Sequence, residues 1–265
     1  MSRTLFARNV RHHALLLAAI WLGVFLFELF LVWVVAQLDA GGGLQTFLTA
    51  LVPPEMQEVL FEQFGLASFP GGVAFGFQHP FTLVGGIAFL VVAATVPAAE
   101  RESGFLDLVL ARPVPRSRYL AATVALVVLG ALAMAAASLA GAAAGLAAVE
   151  GHDDVAWVSY LPSAAALACL YLAVGGYSLL FATDSPRRGP AATRAVGVTL
   201  LFYWLDFMGG FWDLLETARW LSPFSYFDPG AAVRGTLGWR DPGVLLVVAT
   251  LCVVGSFLNF RRQEL

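Results

Sequence analysis

Long apolar runs alternate with short polar ones along this chain. A helix needs about 20 apolar residues to cross the roughly 30 Å hydrocarbon core of a bilayer. Runs of about that length occupy 14–35, 77–98, 120–143, 161–182, 195–212 and 244–260. None has the strict alternation of a membrane barrel strand. The pattern therefore predicts an all-α membrane protein with six transmembrane helices. The first run is too long for a signal-peptide core and lacks a convincing cleavage site, so it is expected to be retained.

The segments between the runs have distinct characters. Residues 1–13 set Arg3, Arg8 and Arg11 among Leu5, Phe6 and Val10. This predicts a short amphipathic helix in the headgroup layer, either bracing the bundle or anchoring it. Residues 39–72 carry Asp39, Glu55, Glu58 and Glu62 and no arginine, with short surface helices expected at 44–52 and 55–64, split by Pro53-Pro54. Gly141 and Gly145 form a small-residue pair that lets helices approach closely. Glu150, His152, Asp153 and Asp154 make an acidic loop, read as solvated rather than metal-binding. Residues 184–194 are a turn rich in Pro, Gly and Arg. Residues 213–241 are aromatic and mixed, as expected of short helices dipping into the bilayer with Trp and Tyr at headgroup depth.

The polar stretch 100–118 is the most structured of these. Its sequence is Glu-Arg-Glu-Ser-Gly-Phe-Leu-Asp-Leu-Val-Leu-Ala-Arg-Pro-Val-Pro-Arg-Ser-Arg. Ser103 and Gly104 open a short helix, and Pro113 and Pro115 close it. Phe105, Leu108 and Val109 are expected to share one face, with Leu106 and Leu110 beside them. Glu100 and Glu102 precede the positive end of the helix dipole and Arg112 sits at the negative end. A rod from Ser103 to Arg112 would be roughly 15 Å long. A rod of this kind, two-faced and fixed at both ends by apolar runs, is suited to being gripped by a partner. The competing reading is a helix held on the inner leaflet by Arg112, Arg116 and Arg118.

Composition narrows the function. Charged residues make up 12% of the 265 positions, about half the fraction of soluble domains. All fifteen basic residues are arginine. A phosphate-cradling P-loop requires lysine, so this chain cannot hydrolyse ATP by that chemistry. Cys169 and Cys252 both lie inside apolar runs and read as small buried residues rather than a disulfide. Twelve of the fifteen arginines fall at the N-terminus, the 100–118 stretch, the 184–194 turn and the C-terminus. The positive-inside rule then places both termini and the short rod in the cytoplasm.

Two acids fall inside spans. Glu28 lies about 21 Å along the first and Asp206 about 16 Å along the fifth, each at 1.5 Å per residue. A carboxylate there costs on the order of 3 kcal/mol on insertion scales, so both should face the bundle interior or a wet cavity. Each fits either a polar patch lining a translocation route or a structural acid, with Asp206 reaching Tyr203 one turn back. Gln78 and His79 at the start of the second span are candidates for the same mouth. No His-Glu-x-x-His, Gly-x-Ser-x-Gly or paired intramembrane acid motif is present, and no catalytic residue or metal ligand set is assigned. A stand-alone carrier or channel is the alternative transport reading, and an intramembrane hydrolase the enzyme alternative.

Six spans with this segment after the second resemble the permease subunits of ABC-2 type transporters. In that family the segment runs roughly Glu-x-Glu-x-Gly-Thr-Leu-Glu-Leu-Leu-Leu-x-x-Pro-Val-x-Arg. Glu100, Glu102, Gly104, Leu106, Leu108, Leu110, Pro113, Val114 and Arg116 match it, while Phe105 replaces threonine and Asp107 replaces glutamate. Leu-Ser-Pro-Phe-Ser-Tyr-Phe-Asp-Pro at 221–229 and the Asn-Phe-Arg-Arg at 259–262 are also similar to members of the family. The resemblance implies a plasma-membrane exporter in which two permease chains pair as a homodimer or heterodimer. Two separate cytoplasmic ATPase subunits would bind ATP and Mg, with no cofactor in this chain and no role for nucleic acid. It makes 100–118 the coupling helix region, with Glu100, Glu102, Gly104, Phe105, Leu106, Leu108, Arg112 and Arg116 as its contact candidates. It makes 1–13 the connecting helix and 213–241 re-entrant helices capping an outward pathway to which Asp206, Glu28 and His79 are the candidate lining residues.

Overall fold

The computed structural model describes residues 3–40, 46, 50, 68–111, 115–152 and 154–262. Its regular structure is entirely helical among these residues. The elements used below are α1 (Arg3–Ala40), α2 (Phe69–Gln78), α3 (Pro80–Ala94), α4 (Val96–Glu102), α5 (Phe105–Leu110), α6 (Arg116–Ala148), α7 (Leu161–Asp184), α8 (Arg188–Gly209), α9 (Asp213–Glu216), α10 (Pro229–Val233) and α11 (Arg240–Arg262). Three 3₁₀ turns lie at Trp157–Tyr160, Arg219–Leu221 and Pro223–Tyr226.

Among the described residues, five segments are long and apolar enough to cross a membrane: Thr4–Asp39, Phe69–Ala94, Arg116–Ala148, Trp157–Asp184 and Arg240–Arg262. The chain is a multi-pass helical membrane protein. Helix α8 is not among the five. It has 22 residues, but Arg188, Arg194 and Asp206 interrupt its apolar character.

Several boundaries differ from the sequence expectation. The amphipathic segment 1–13 and the first run are not separate elements, because α1 continues through 38 residues without a break, about 57 Å at 1.5 Å per residue. Nothing between His12 and Leu15 terminates a helix, so alanine and leucine carry it through. The second run begins earlier than residue 77 and is split in two. Ser68 caps α2 by accepting from Gly71 N, and His79, in an extended conformation, ends it. Pro80 then opens α3 at its first turn, where proline's missing N–H costs nothing. The 184–194 turn is shorter than expected, since α8 already starts at Arg188. The surface helices expected at 44–52 and 55–64 lie almost wholly outside the described residues. The region 213–241 is a series of short helical pieces.

Helix α7 is the hub and packs against α3, α6, α8 and α11. Leu167, Leu170, Tyr171, Ala173 and Val174 are fully buried along it. Small residues set the close approaches. A Cβ at Gly175 would meet Val127 of α6, and one at Gly176 would meet the backbone of Ala249 in α11. The Gly141 and Gly145 pair seats α1, with Phe25 and Val32 against the two positions.

Candidate functional site

The stretch 100–111 folds as two short helices rather than one rod. Helix α4 ends at Glu102, Gly104 turns the chain with φ 71°, and α5 runs for six residues. Glu100 and Glu102 therefore lie in the preceding helix and do not lead into α5. The left-handed conformation at Gly104 is one that glycine adopts without penalty. Arg112 and Pro113 lie outside the described residues, so the far end of the segment is not placed.

The two faces of α5 also differ from expectation. Leu106 is 0% and Val109 8% exposed, whereas Phe105 is 41% and Leu108 68% exposed. Val109 thus turns inward with Leu106, and Phe105 and Leu108 form the outward face. Six residues make fewer than two turns, too few for spacing alone to fix which stripe faces in.

Long-range contacts hold the segment. Arg8 of α1 pairs with Glu100 Oε1, and Tyr119 Oη of α6 donates to Glu100 Oε2 at 2.6 Å. The Arg8 guanidinium also lies over the Phe105 ring, 4.9 Å from its centroid. Arg101 donates to the Ser185 carbonyl at 2.9 Å. Burial lowers the Arg101 guanidinium from its usual value, against the pull of Tyr119 and Asp107. The backbone N–H of Arg188 donates to Glu102 at 2.9 Å, placing a carboxylate at the start of α8 where the helix dipole favours it. Arg116 is half-buried at the start of α6. A cleft of about 520 Å³ opens here, lined by Arg8, Asn9, His12, Phe105, Leu108 and Arg188 among others.

The two acids expected inside spans are in different surroundings. Asp206 does not bond Tyr203. It accepts from Arg219 Nε at 3.2 Å and Nη2 at 3.0 Å, both on Oδ1. The pair borders a cavity of about 120 Å³ together with Gln78, Tyr203, Phe207, Phe224 and Asp228. Glu28 is not part of that cavity. It is fully buried, with neither carboxyl oxygen hydrogen-bonded, and it packs against Gly76 and Gly141. His79 does not line the cavity either. Its Nδ1 accepts from Phe81 N at 3.2 Å and its ring lies 4.6 Å from that of Phe27, so it is a capping residue. In the acidic loop, His152 bonds Asp39 at 3.1 Å and stacks on Phe69 at 3.7 Å, tying α1 to α2.

The sequence reading missed Arg219, Tyr119 and Arg8 as partners. Every one of these contacts spans at least 13 residues, beyond the reach of helix periodicity. Arg219 had one signal, as the one cation between Asp206 and Asp228.

A bundle of apolar helices with a braced polar segment at one end and a polar cavity toward the other is compatible with a transport permease. Residues 6–261 match the family described as the multidrug efflux system permease Rv1217c, C-terminal domain, and the chain belongs to that family. No curated protein and no solved structure matches it.

Proposed function

We propose that the chain is the membrane subunit of an ATP-driven ABC-2 type exporter, with six crossings and both termini in the cytoplasm. In this reading α8 is the fifth of the six crossings, tolerated despite its charges because Asp206 is paired and Arg188 and Arg194 lie near the membrane surface. Two such chains pair, and two separate ATPase subunits supply ATP and Mg. Helix α5 is the coupling helix, and the start of α1 braces it.

One observation carries the proposal. Phe105 and Leu108 stand exposed on a short helix whose other face, Leu106 and Val109, is locked into the bundle. Glu100 and Glu102 spend their oxygens on the bundle side, so they position α5, and the apolar pair makes the contact. A rod anchored in this way passes movement to α6 and α8, where a slack loop would absorb it. The efflux activity in the family's description supports outward transport of small molecules.

The test is site-directed crosslinking in the reconstituted complex. Leu108→Cys is expected to crosslink to the co-purified ATPase, and Gly104→Pro and Arg112→Glu to uncouple ATP turnover from transport. No crosslink together with unchanged transport in both variants would overturn the assignment.

A further inference from the structure

The cavity beside Asp206 has a second, apolar neighbour. A groove of about 220 Å³ runs between α3 and α8, lined by Leu83, Val84, Ile87, Val196, Leu200 and Phe224 among others. Leu83, Tyr203 and Phe224 belong to both cavities. The polar cavity and the apolar groove therefore share a wall and meet at it. Val84 and Leu200 are 64% and 60% exposed, so the groove opens on the apolar perimeter that lipid tails cover.

The polar end has defined chemistry. Arg219 places both of its bonds on Asp206 Oδ1, which leaves Oδ2 to the cavity. Asp228 Oδ1 accepts from Ala231 N at 2.8 Å, and its Oδ2 is 3.8 Å from Arg234, at the limit of an ion pair. Tyr203, Phe207, Phe224 and Phe227 supply ring faces and edges around these acids. Carboxylate oxygen with aromatic rings is a setting that attracts an ammonium group. Gln78 Nε2 is buried there without a hydrogen-bond partner, and a donor left in that state favours a ligand that brings an acceptor.

We infer that the two cavities form one site for a cationic amphiphile: a protonated amine with a neighbouring hydroxyl or carbonyl in the polar part, and an alkyl chain in the groove. This deepens the export reading by giving its cargo a chemical class. A membrane lipid with an amine headgroup and a free amphiphile share that chemistry, and the test separates them.

The full chain is placed in nanodiscs of digalactosyldiacylglycerol, which has neither charge nor amine, and empty discs are subtracted. The probes are radiolabelled 2-(decylamino)ethanol, its uncharged twin 2-(decyloxy)ethanol, and decyl sulfonate. The amine is expected to bind at least about tenfold tighter than either twin, a difference of about 1.4 kcal/mol. Asp206→Asn alone strands Arg219, so the variant used is Asp206→Asn with Arg219→Gln, which removes both charges together. It is expected to bring the amine down to the level of the neutral twin. Val196→Trp, which fills the groove, is expected to weaken the amine and its uncharged twin alike.

Phosphatidylethanolamine added to the discs identifies the source. Competition makes a resident lipid headgroup the occupant, and its absence makes the occupant a free amphiphile. Equal binding of amine and neutral twin, tighter binding of the sulfonate, or amine binding indifferent to the charge-removing variant would each overturn the site. Binding here needs no ATPase, so failure of the site and failure of the coupling assignment are separate results.

Discussion

Tyr119 and Glu100 meet across 19 residues of sequence, the tyrosine hydroxyl donating to the carboxylate at 2.6 Å. Arg8 holds the other oxygen of the same carboxylate, so one side chain joins α1, α4 and α6. Tyr119 is 1% exposed, which keeps water from replacing the bond. Hydrogen bonds to charged groups contribute roughly 1.5–3 kcal/mol. Tyr119→Phe is expected to cost about 2 kcal/mol and to lower the thermal midpoint by about 5 °C. Thermal unfolding of the purified chain checks this, and an unchanged midpoint would show that the junction does not brace α4.

Gly104 permits a test of backbone strain without side-chain interference. Its φ is 71°, and a Cβ built there would meet nothing within 4 Å. Gly104→Ala should therefore cost only the left-handed penalty, on the order of 1 kcal/mol. Gly104→Asn should cost less, because asparagine tolerates that region. Hydrogen exchange at the α5 amides is the measurement, with faster exchange expected in the alanine variant than in the asparagine one. The reverse order would mean that the turn is not held by the conformation of this residue.

The membrane class and most of the helices were legible in the sequence because long apolar runs are set by local composition. The polar segment at 100–110 was legible as bearing a short helix, and Gly104 as a residue at its opening. Its geometry was not. Glu100 and Glu102 looked like dipole partners of the next helix, yet their contacts come from Arg8, Tyr119 and Arg188, residues no local window includes. Pro80 looked like a residue near the start of one span. It instead opens the second of two helices, because the first ends at the extended His79. Asp206 had Tyr203 as its nearest partner along the helix, but the chain folds back and brings Arg219 to it instead.

The Asp206 and Arg219 pair is a measurable unit. Their side chains are 21% and 28% exposed, so solvent screens them only in part. Each single neutralisation, Asp206→Asn or Arg219→Gln, leaves one charge without its partner. The double variant removes both. A double-mutant cycle on thermal stability is expected to give a coupling of about 1–2 kcal/mol, with the double variant more stable than at least one single. Strict additivity of the two changes would mean that the contact contributes nothing.

Glu28 presents the opposite case. It is 0% exposed, and neither carboxyl oxygen has a hydrogen-bond partner. Its carboxyl group fills the space that a Cβ at Gly76 would need, and its own Cβ lies 2.7 Å from where one at Gly141 would sit. Burying a polar group without a partner costs roughly 1–3 kcal/mol by mutational measures. Methionine has similar length and no such cost, so Glu28→Met is expected to raise the thermal midpoint. Glu28→Ala removes the same polar group but leaves a void, and is expected to lower it. Gly76→Ala forces a methyl group into the carboxyl and should cost about 2 kcal/mol. That cost should largely vanish in the Gly76→Ala, Glu28→Ala pair, where the alanine side chains share the vacated volume. Transport measured on Glu28→Met then separates the two roles open to this acid. Full transport in a more stabile chain assigns Glu28 to packing, and lost transport in an equally stable chain assigns it to the pathway. A Glu28→Met chain less stable than the parent would mean that the carboxyl has a partner after all.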